Sequence, residues 1–146
     1  MAFKPRNPDF AQRAQQSFDL QNAMKSLGVT TADIGPGKVT LEMPFNKEFR
    51  QHHGFMHAGI ITTALDSACG FAAYTLMEAK AEVLTVEFKT NFLAPAKGER
   101  FLFHAEVIKP GRTLTVADAK AYAIQDGQEK LIATMTGTLM AIYTKL

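Results

Sequence analysis

The chain has 146 residues, 47% apolar and 21% charged, and its 16 basic and 14 acidic side chains leave a formal charge of +2. These values suit one ordinary globular domain and exclude a disordered tail, a coiled coil and a broad basic surface for nucleic acid. With one cysteine, Cys69, no apolar run of the ~20 residues needed to span a bilayer, and no secretory leader pattern in residues 1–16, a cytoplasmic protein without a membrane anchor is expected.

Asn7 and Pro8 predict a helix start, and Phe10, Ala14, Phe18, Met24 and Leu27 form an apolar stripe that Gly28 ends. Residues 1–28 thus read as a helical extension within a single domain, 1–146. Val29–Ile34, the turn Gly35-Pro36-Gly37 and Lys38–Phe45 read as a hairpin, with Val39, Leu41, Met43 and Phe45 on one face. From Ala58 to about Met77 the chain is apolar around most of a helix's circumference, so this helix is expected to be buried on several sides.

The remainder alternates as strands. Leu84, Val86, Phe88 and Thr90 share one face of the first, opposite Thr85, Glu87, Lys89 and Asn91. Phe101–Lys109 and Leu114–Gln125 follow. In Leu131–Tyr143, the residues Leu131, Ala133, Met135, Gly137, Leu139, Ala141 and Tyr143 share a face. The expected architecture is α+β: one long helix against a curved antiparallel sheet of five or six strands. Such a unit leaves an apolar face or edge that self-association would cover.

Reactive side chains concentrate in residues 51–66. Asp66 is the one Asp, Glu, Lys or Arg between Arg50 and Glu78. Burying a bare carboxylate costs several kcal/mol, so hydrogen bonds are expected, with Thr62 and Thr63 one turn earlier as candidate donors. Asp66 reads either as part of a polar stripe facing water or a subunit interface, or as a general base or nucleophile. His57-Ala58-Gly59 starts the helix, where unpaired N–H groups and the helix dipole can hold an oxyanion and a glycine lets a ligand approach the backbone. A metal site needs three or four converging ligands; Gly54 breaks the register between His53 and His57, so no metal ligand is assigned. Cys69 has apolar neighbours and reads as a small buried hydrophobe.

Gln51-x-x-Gly54-x-x-His57-Ala58-Gly59, Leu65-Asp66, Leu84–Phe88, Asn91–Ala96 and the turn Lys109–Thr113 together resemble the hotdog-fold acyl-CoA thioesterases. The subgroup is the one related to the phenylacetate-degradation thioesterase, and the resemblance spans about residues 30–143. It implies a hotdog fold: a long helix wrapped by an antiparallel sheet, assembled as a homodimer or a tetramer made of two dimers. It also implies hydrolysis of an aryl- or medium-chain acyl-CoA, with no metal or cofactor, coenzyme A being part of the substrate.

By the same resemblance, Ala58 donates a backbone N–H to the thioester carbonyl and Gly59 keeps the family glycine. Asp66 activates water or attacks, on substrate held against the neighbouring subunit. Gln51 stands where Asn is usual, Thr85 where a hydroxyl positions the water, and His57 orients the loop. Arg112, Lys109 and Lys97 are candidate partners of the coenzyme A phosphates. Phe55, Met56 and the stretch Phe71–Tyr74 could line an acyl pocket or pack the core. The competing readings are a non-catalytic acyl-CoA-binding protein and a hydratase using His57; retention of Asp66 favours the hydrolase.

Overall fold

The computed structural model describes residues 2–146. Where the apolar stripe predicts one N-terminal helix, the chain forms two, α1 (Phe10–Asp19) and α2 (Asn22–Leu27). Phe18 and Met24 are six residues apart, and a continuous helix would turn them about 120° away from each other. The chain instead breaks at Leu20 and Gln21, with Gln21 extended, and Phe18, Met24 and Leu27 all become buried. Asn7 organises the turn before α1 rather than capping the helix: its Oδ1 accepts from the Asp9 N–H at 3.0 Å. Gly28 ends α2 at φ 72°, the left-handed stop its sequence position suggests.

The hairpin β1 (Thr30–Gly35) and β2 (Lys38–Pro44) follows, then a short 3-10 turn at Lys47–Phe49 and the long helix α3 (Ala58–Tyr74). The strands β3 (Glu82–Phe92), β4 (Arg100–Lys109), β5 (Leu114–Gln125) and β6 (Gln128–Ile142) complete the chain. All six strands form one antiparallel sheet in the order β1-β2-β4-β5-β6-β3. Phe45, predicted to continue the apolar face of β2, lies just beyond the strand and is exposed.

The core lies between α3 and the inner face of the sheet. β2 contributes Val39, Leu41 and Met43, and β4 contributes Phe101, Phe103, Ala105 and Val107. β5 instead presents Ala117, Ala119, Ala121 and Ala123 inward, all buried. This row of methyls matches Ala64, Ala68 and Ala72 on α3 and lets helix and strand approach closely. Burial of such surface, at roughly 25 cal/mol per Å², holds α3 together despite the β-branched run Ile60–Thr63.

The C-terminal end of α3 is clamped by α1. Phe18 meets Phe71 edge-on at 5.5 Å, Phe71 meets Tyr74 at 5.9 Å, and the Arg13 guanidinium lies 3.9 Å over the Tyr74 ring. Arg13 also donates to the Ala81 carbonyl, and Tyr74 Oη pairs with Ser17 Oγ at 3.1 Å. Phe71–Tyr74 therefore pack in the core.

Two bulges alter the predicted faces. In β3 the register shifts between Thr85 and Glu87, making Val86 an extra residue. Thr85 pairs with buried Leu139 and Phe88 with Gly137, whose Cα side lies against Cys69. Thr85 thus shares the helix side with Phe88 and Thr90, while Glu87, Lys89 and Asn91 face outward. In β6 the extra residue is Ile132, between Leu131 opposite Tyr122 and Ala133 opposite Ala121. Ile132 is buried and Leu131 is displaced to the outer face, contrary to the simple alternation.

Both outer strands, β1 and β3, leave a hydrogen-bonding edge unpaired among the described residues. Among those residues, no helix is long and apolar enough to cross a membrane.

Candidate active site

The loop before α3 is held by its own side chains. Gln51 Oε1 accepts from the N–H groups of His53 at 2.5 Å and Phe55 at 3.3 Å, and the Gln51 N–H donates to the Phe55 carbonyl at 2.7 Å. Gly54 takes φ 91°, which a side chain would strain. The extra methylene that distinguishes Gln from Asn is thus used to fold the loop. Its amide nitrogen has no partner among the described residues, and Gln51 lines the wall of a cleft.

His57 is the N-cap of α3, at φ −60° and ψ 136°. Its Nδ1 accepts from the Gly59 N–H at 2.8 Å, and its own N–H donates to the Phe49 carbonyl at 2.9 Å. An accepting Nδ1 puts the ring proton of a neutral imidazole on Nε2. A Cβ on Gly59 would lie 3.1 Å from that Nδ1, so this glycine makes room for the cap. The Gly59 N–H is consequently occupied. The Ala58 N–H, first in the helix, has no partner among the described residues, and Ala58 lines the same cleft.

That cleft has a volume of about 360 Å³ and is walled by Phe55, Met56, Ile61, Phe92, Pro95 and Ile132. Phe55 and Met56, two of the candidate pocket residues, thus line one cleft. Phe92 and Ile132 were not singled out as pocket residues. The Asn91–Ala96 segment marked the first, whereas Ile132 reaches the wall from the β6 bulge, which leaves no mark in the hydropathy pattern.

Asp66 lies eight residues further along α3, about 12 Å from Ala58 at the rise of an α-helix. It is half-buried, and its Oδ1 accepts from Thr85 Oγ1 at 2.8 Å. Thr62 and Thr63 do not reach it: each donates to the carbonyl four residues back, Ala58 and Gly59, both at 2.9 Å. Helical side-chain hydroxyls satisfy the preceding turn more easily than they reach forward. The charge of Asp66 is felt by Cys69, which is buried. Burial first, then Asp66 and Asp118, push its thiol from 9.0 up to about 12.

Lys97 lines a second groove that adjoins the cleft through Phe55 and Pro95. Lys109 and Arg112 lie at the opposite end of the sheet, where the Tyr143 hydroxyl donates to the Arg112 carbonyl at 3.2 Å. Among the described residues no three His, Cys, Asp or Glu side chains gather to hold a metal ion.

Comparison with known proteins decides the family. The family model described as Thioesterase superfamily matches residues 53–130, which contain His57, Asp66, Thr85 and the cleft wall from Phe55 to Pro95. The chain belongs to the thioesterase superfamily. A thioesterase family protein from Silicibacter pomeroyi, solved by crystallography, is 60% identical with a TM-score of 0.90, over 91% of this chain and 98% of that one. Human acyl-coenzyme A thioesterase 13 is 32% identical over 96 residues, 64% of this chain and 68% of its own. The Escherichia coli PaaI protein of the phenylacetic acid degradation operon, 19% identical, shares the fold at a TM-score of 0.83 over 92% of this chain and 94% of that one. The hotdog thioesterase architecture expected from the motifs is the one present, and thioester hydrolysis is the activity that the superfamily assigns.

Proposed function

We propose that the protein hydrolyses acyl-CoA thioesters, aryl or medium-chain, to free acid and coenzyme A, in sites that two copies build together. The observation that carries this reading is the free Ala58 N–H at a residue lining an apolar cleft, with Asp66 about 12 Å further along the helix axis. That spacing favours an Asp66 from a second copy for a thioester held at Ala58, because attack needs reacting atoms about 3–3.5 Å apart. Pairing two β3 edges antiparallel would bring the Thr85 and Asp66 region of one copy toward Phe92 and the cleft of the other. Leu84, Val86, Phe88 and Phe92, each 45–52% exposed, give that edge an apolar surface to cover. The same pairing would turn the Arg112 and Lys109 end of one copy toward the cleft end of the other, beside Lys97. A dimer of such dimers is the assembly to test next.

In the proposed reaction the acyl group fills the cleft and the thioester carbonyl oxygen accepts from the Ala58 N–H, helped by the Gln51 amide. Asp66 of the second copy takes a proton from water as its oxygen bonds to the carbonyl carbon. The tetrahedral oxyanion collapses, the carbon–sulfur bond breaks, and the thiolate receives the proton. Thr85 fixes one Asp66 oxygen and leaves the other for water. His57 holds the first turn of α3 in place. If Asp66 attacks directly, an acyl anhydride forms, and oxygen-18 from water enters Asp66 in a single turnover.

Thiol release from a panel of aryl- and fatty-acyl-CoA thioesters tests the activity. Ala58→Pro tests the oxyanion donor, because proline is tolerated at the first helical position and the extended His57 suits a following proline. It should cost ~100- to 1000-fold in rate with the fold intact. Mixing Ala58→Pro and Asp66→Asn proteins, each inactive alone, should restore about a quarter of wild-type activity, since one site of each mixed dimer is complete. No recovery on mixing would overturn the shared site, and no thiol release from any thioester would overturn the function.

A further inference from the structure

The loop that carries Gln51 has a second face. Lys47, Arg50, His52 and His53 line a surface pocket of about 510 Å³, closed by Gln51 and Gly54. No carboxylate lines it. The groove at Lys97 and Lys130 also contains Asp126 and Glu129, and the outer face of the sheet sets Lys38 and Lys120 among Asp33, Glu106 and Asp118. Lys38 and Arg100 form ion pairs with Glu106 and Glu42; Lys47 and Arg50 form none among the described residues. In a chain of net charge +2, this is a local cluster of positive charge that no ion pair among the described residues neutralises, the exposed Glu48 of the same turn lying outside the pocket lining.

The pocket is also built on a fixed frame. Asn46 Oδ1 accepts from the Glu48 N–H at 2.9 Å, and Arg50 bridges to Met56. Gln51 Oε1 closes the turn from within. These bonds already hold the backbone, so that on meeting an anion only the basic side chains have order left to lose. Gln51 is common to this pocket and to the apolar cleft, so the two adjoin. A molecule with an apolar group in one and an anionic tail in the other would lie across Gln51.

We propose that this pocket binds a phosphate of the nucleotide tail of the thioester substrate, with Arg50 as a forked donor and Lys47 as a point charge. The inference rests on the acyl-CoA reading and adds a subsite that Lys97, Lys109 and Arg112 do not provide. Phosphate favours such a pairing because charge-assisted hydrogen bonds are short and strong, and an arginine can hold two oxygens at once.

The test pairs two measurements on the full-length protein. The first compares one acyl group carried on coenzyme A with the same acyl group on pantetheine, which lacks the nucleotide, in wild type and in the Lys47→Ala/Arg50→Ala double variant. The KM for the coenzyme A thioester should rise about 10-fold or more in the variant, with kcat retained and the loss confined to the substrate that bears phosphate. The second titrates adenosine 3′,5′-bisphosphate into both proteins by calorimetry, and its Kd should weaken by a similar factor. An unchanged KM and Kd, an equal loss on both thioesters, or a loss that follows Arg112→Ala and not the double variant would overturn the subsite while leaving the hydrolase intact. If wild type cleaves neither thioester, the hydrolase reading fails, and the bisphosphate titration alone upholds or overturns the anion pocket.

Discussion

At one edge of the sheet β1 offers six residues, a register shift at Ala32 and the charged Asp33. At the other, β3 offers eleven, with Leu84, Val86, Phe88 and Phe92 exposed to water. α1 lies along the first, and Thr31 Oγ1 donates to Gln15 Oε1 at 2.6 Å. Nothing in the described residues covers the second. Short, bulged and charged edges resist pairing with another chain, whereas a long apolar edge invites it. One sheet thus has an edge closed to association and an edge open to it, and Asp66 is tied by Thr85 to the open one.

The contrast can be attacked from several sides. The largest effect belongs to the carboxylate behind the open edge: Asp66→Asn should lower kcat ~1000-fold while leaving the melting temperature and the mass in solution unchanged. A preserved rate would remove Asp66 from the mechanism. Next comes the edge itself. Val86→Lys should shift the protein toward monomer in light scattering and lower activity ~100-fold, whereas Ala32→Lys on β1 should change neither. Equal effects at the two edges would end the distinction. Thr85→Ala frees Asp66 without removing it, so a smaller loss, about 10-fold in kcat, is expected from the missing hydrogen bond.

The smallest effect lies beneath Asp66. The folded Cys69 thiol, raised to about 12, stays protonated where the unfolded one ionises near 9.0. Its contribution to stability is therefore complete below pH 9 and falls as pH rises toward 12, by at most about 1.4 kcal/mol per unit. Cys69→Ala should flatten that decline in urea unfolding followed from pH 8.5 to 10.

Much of this arrangement is legible in the residues. The Pro and Gly turns and the alternating runs give β2, β4, β5 and β6 nearly to their ends, and the apolar stretch from Ala58 gives α3. The break at Leu20 is implicit in the spacing of Phe18 and Met24, but it emerges only when both must reach one core. The bulges at Val86 and Ile132 are invisible to alternation, because an inserted residue looks like any other until its partner strand is known. At the site, His57, Ala58, Gly59 and Asp66 stand out by type and spacing. Pattern could not tell that Thr62 and Thr63 turn back to the helix, that the Gln51 carbonyl folds its own loop, or that Lys109 and Arg112 lie away from the cleft of their own chain. Those depend on distances between segments that sequence order does not encode.

The methyl row of β5 has a wider consequence. Ala117, Ala119, Ala121 and Ala123 set the depth at which α3 rests, and with it the heights of the Ala58 N–H and of Asp66 together. A larger residue there, such as Ala119→Val, would lift the whole rod and misalign at once the two groups that the proposed reaction uses, because a packed interior passes a displacement on rather than absorbing it. The floor of the molecule is therefore a poor place for change. Under the proposed reaction, room for a different acyl group lies at the rim of the cleft instead, where exposed Phe92 and half-buried Ala94 can alter size without moving the helix.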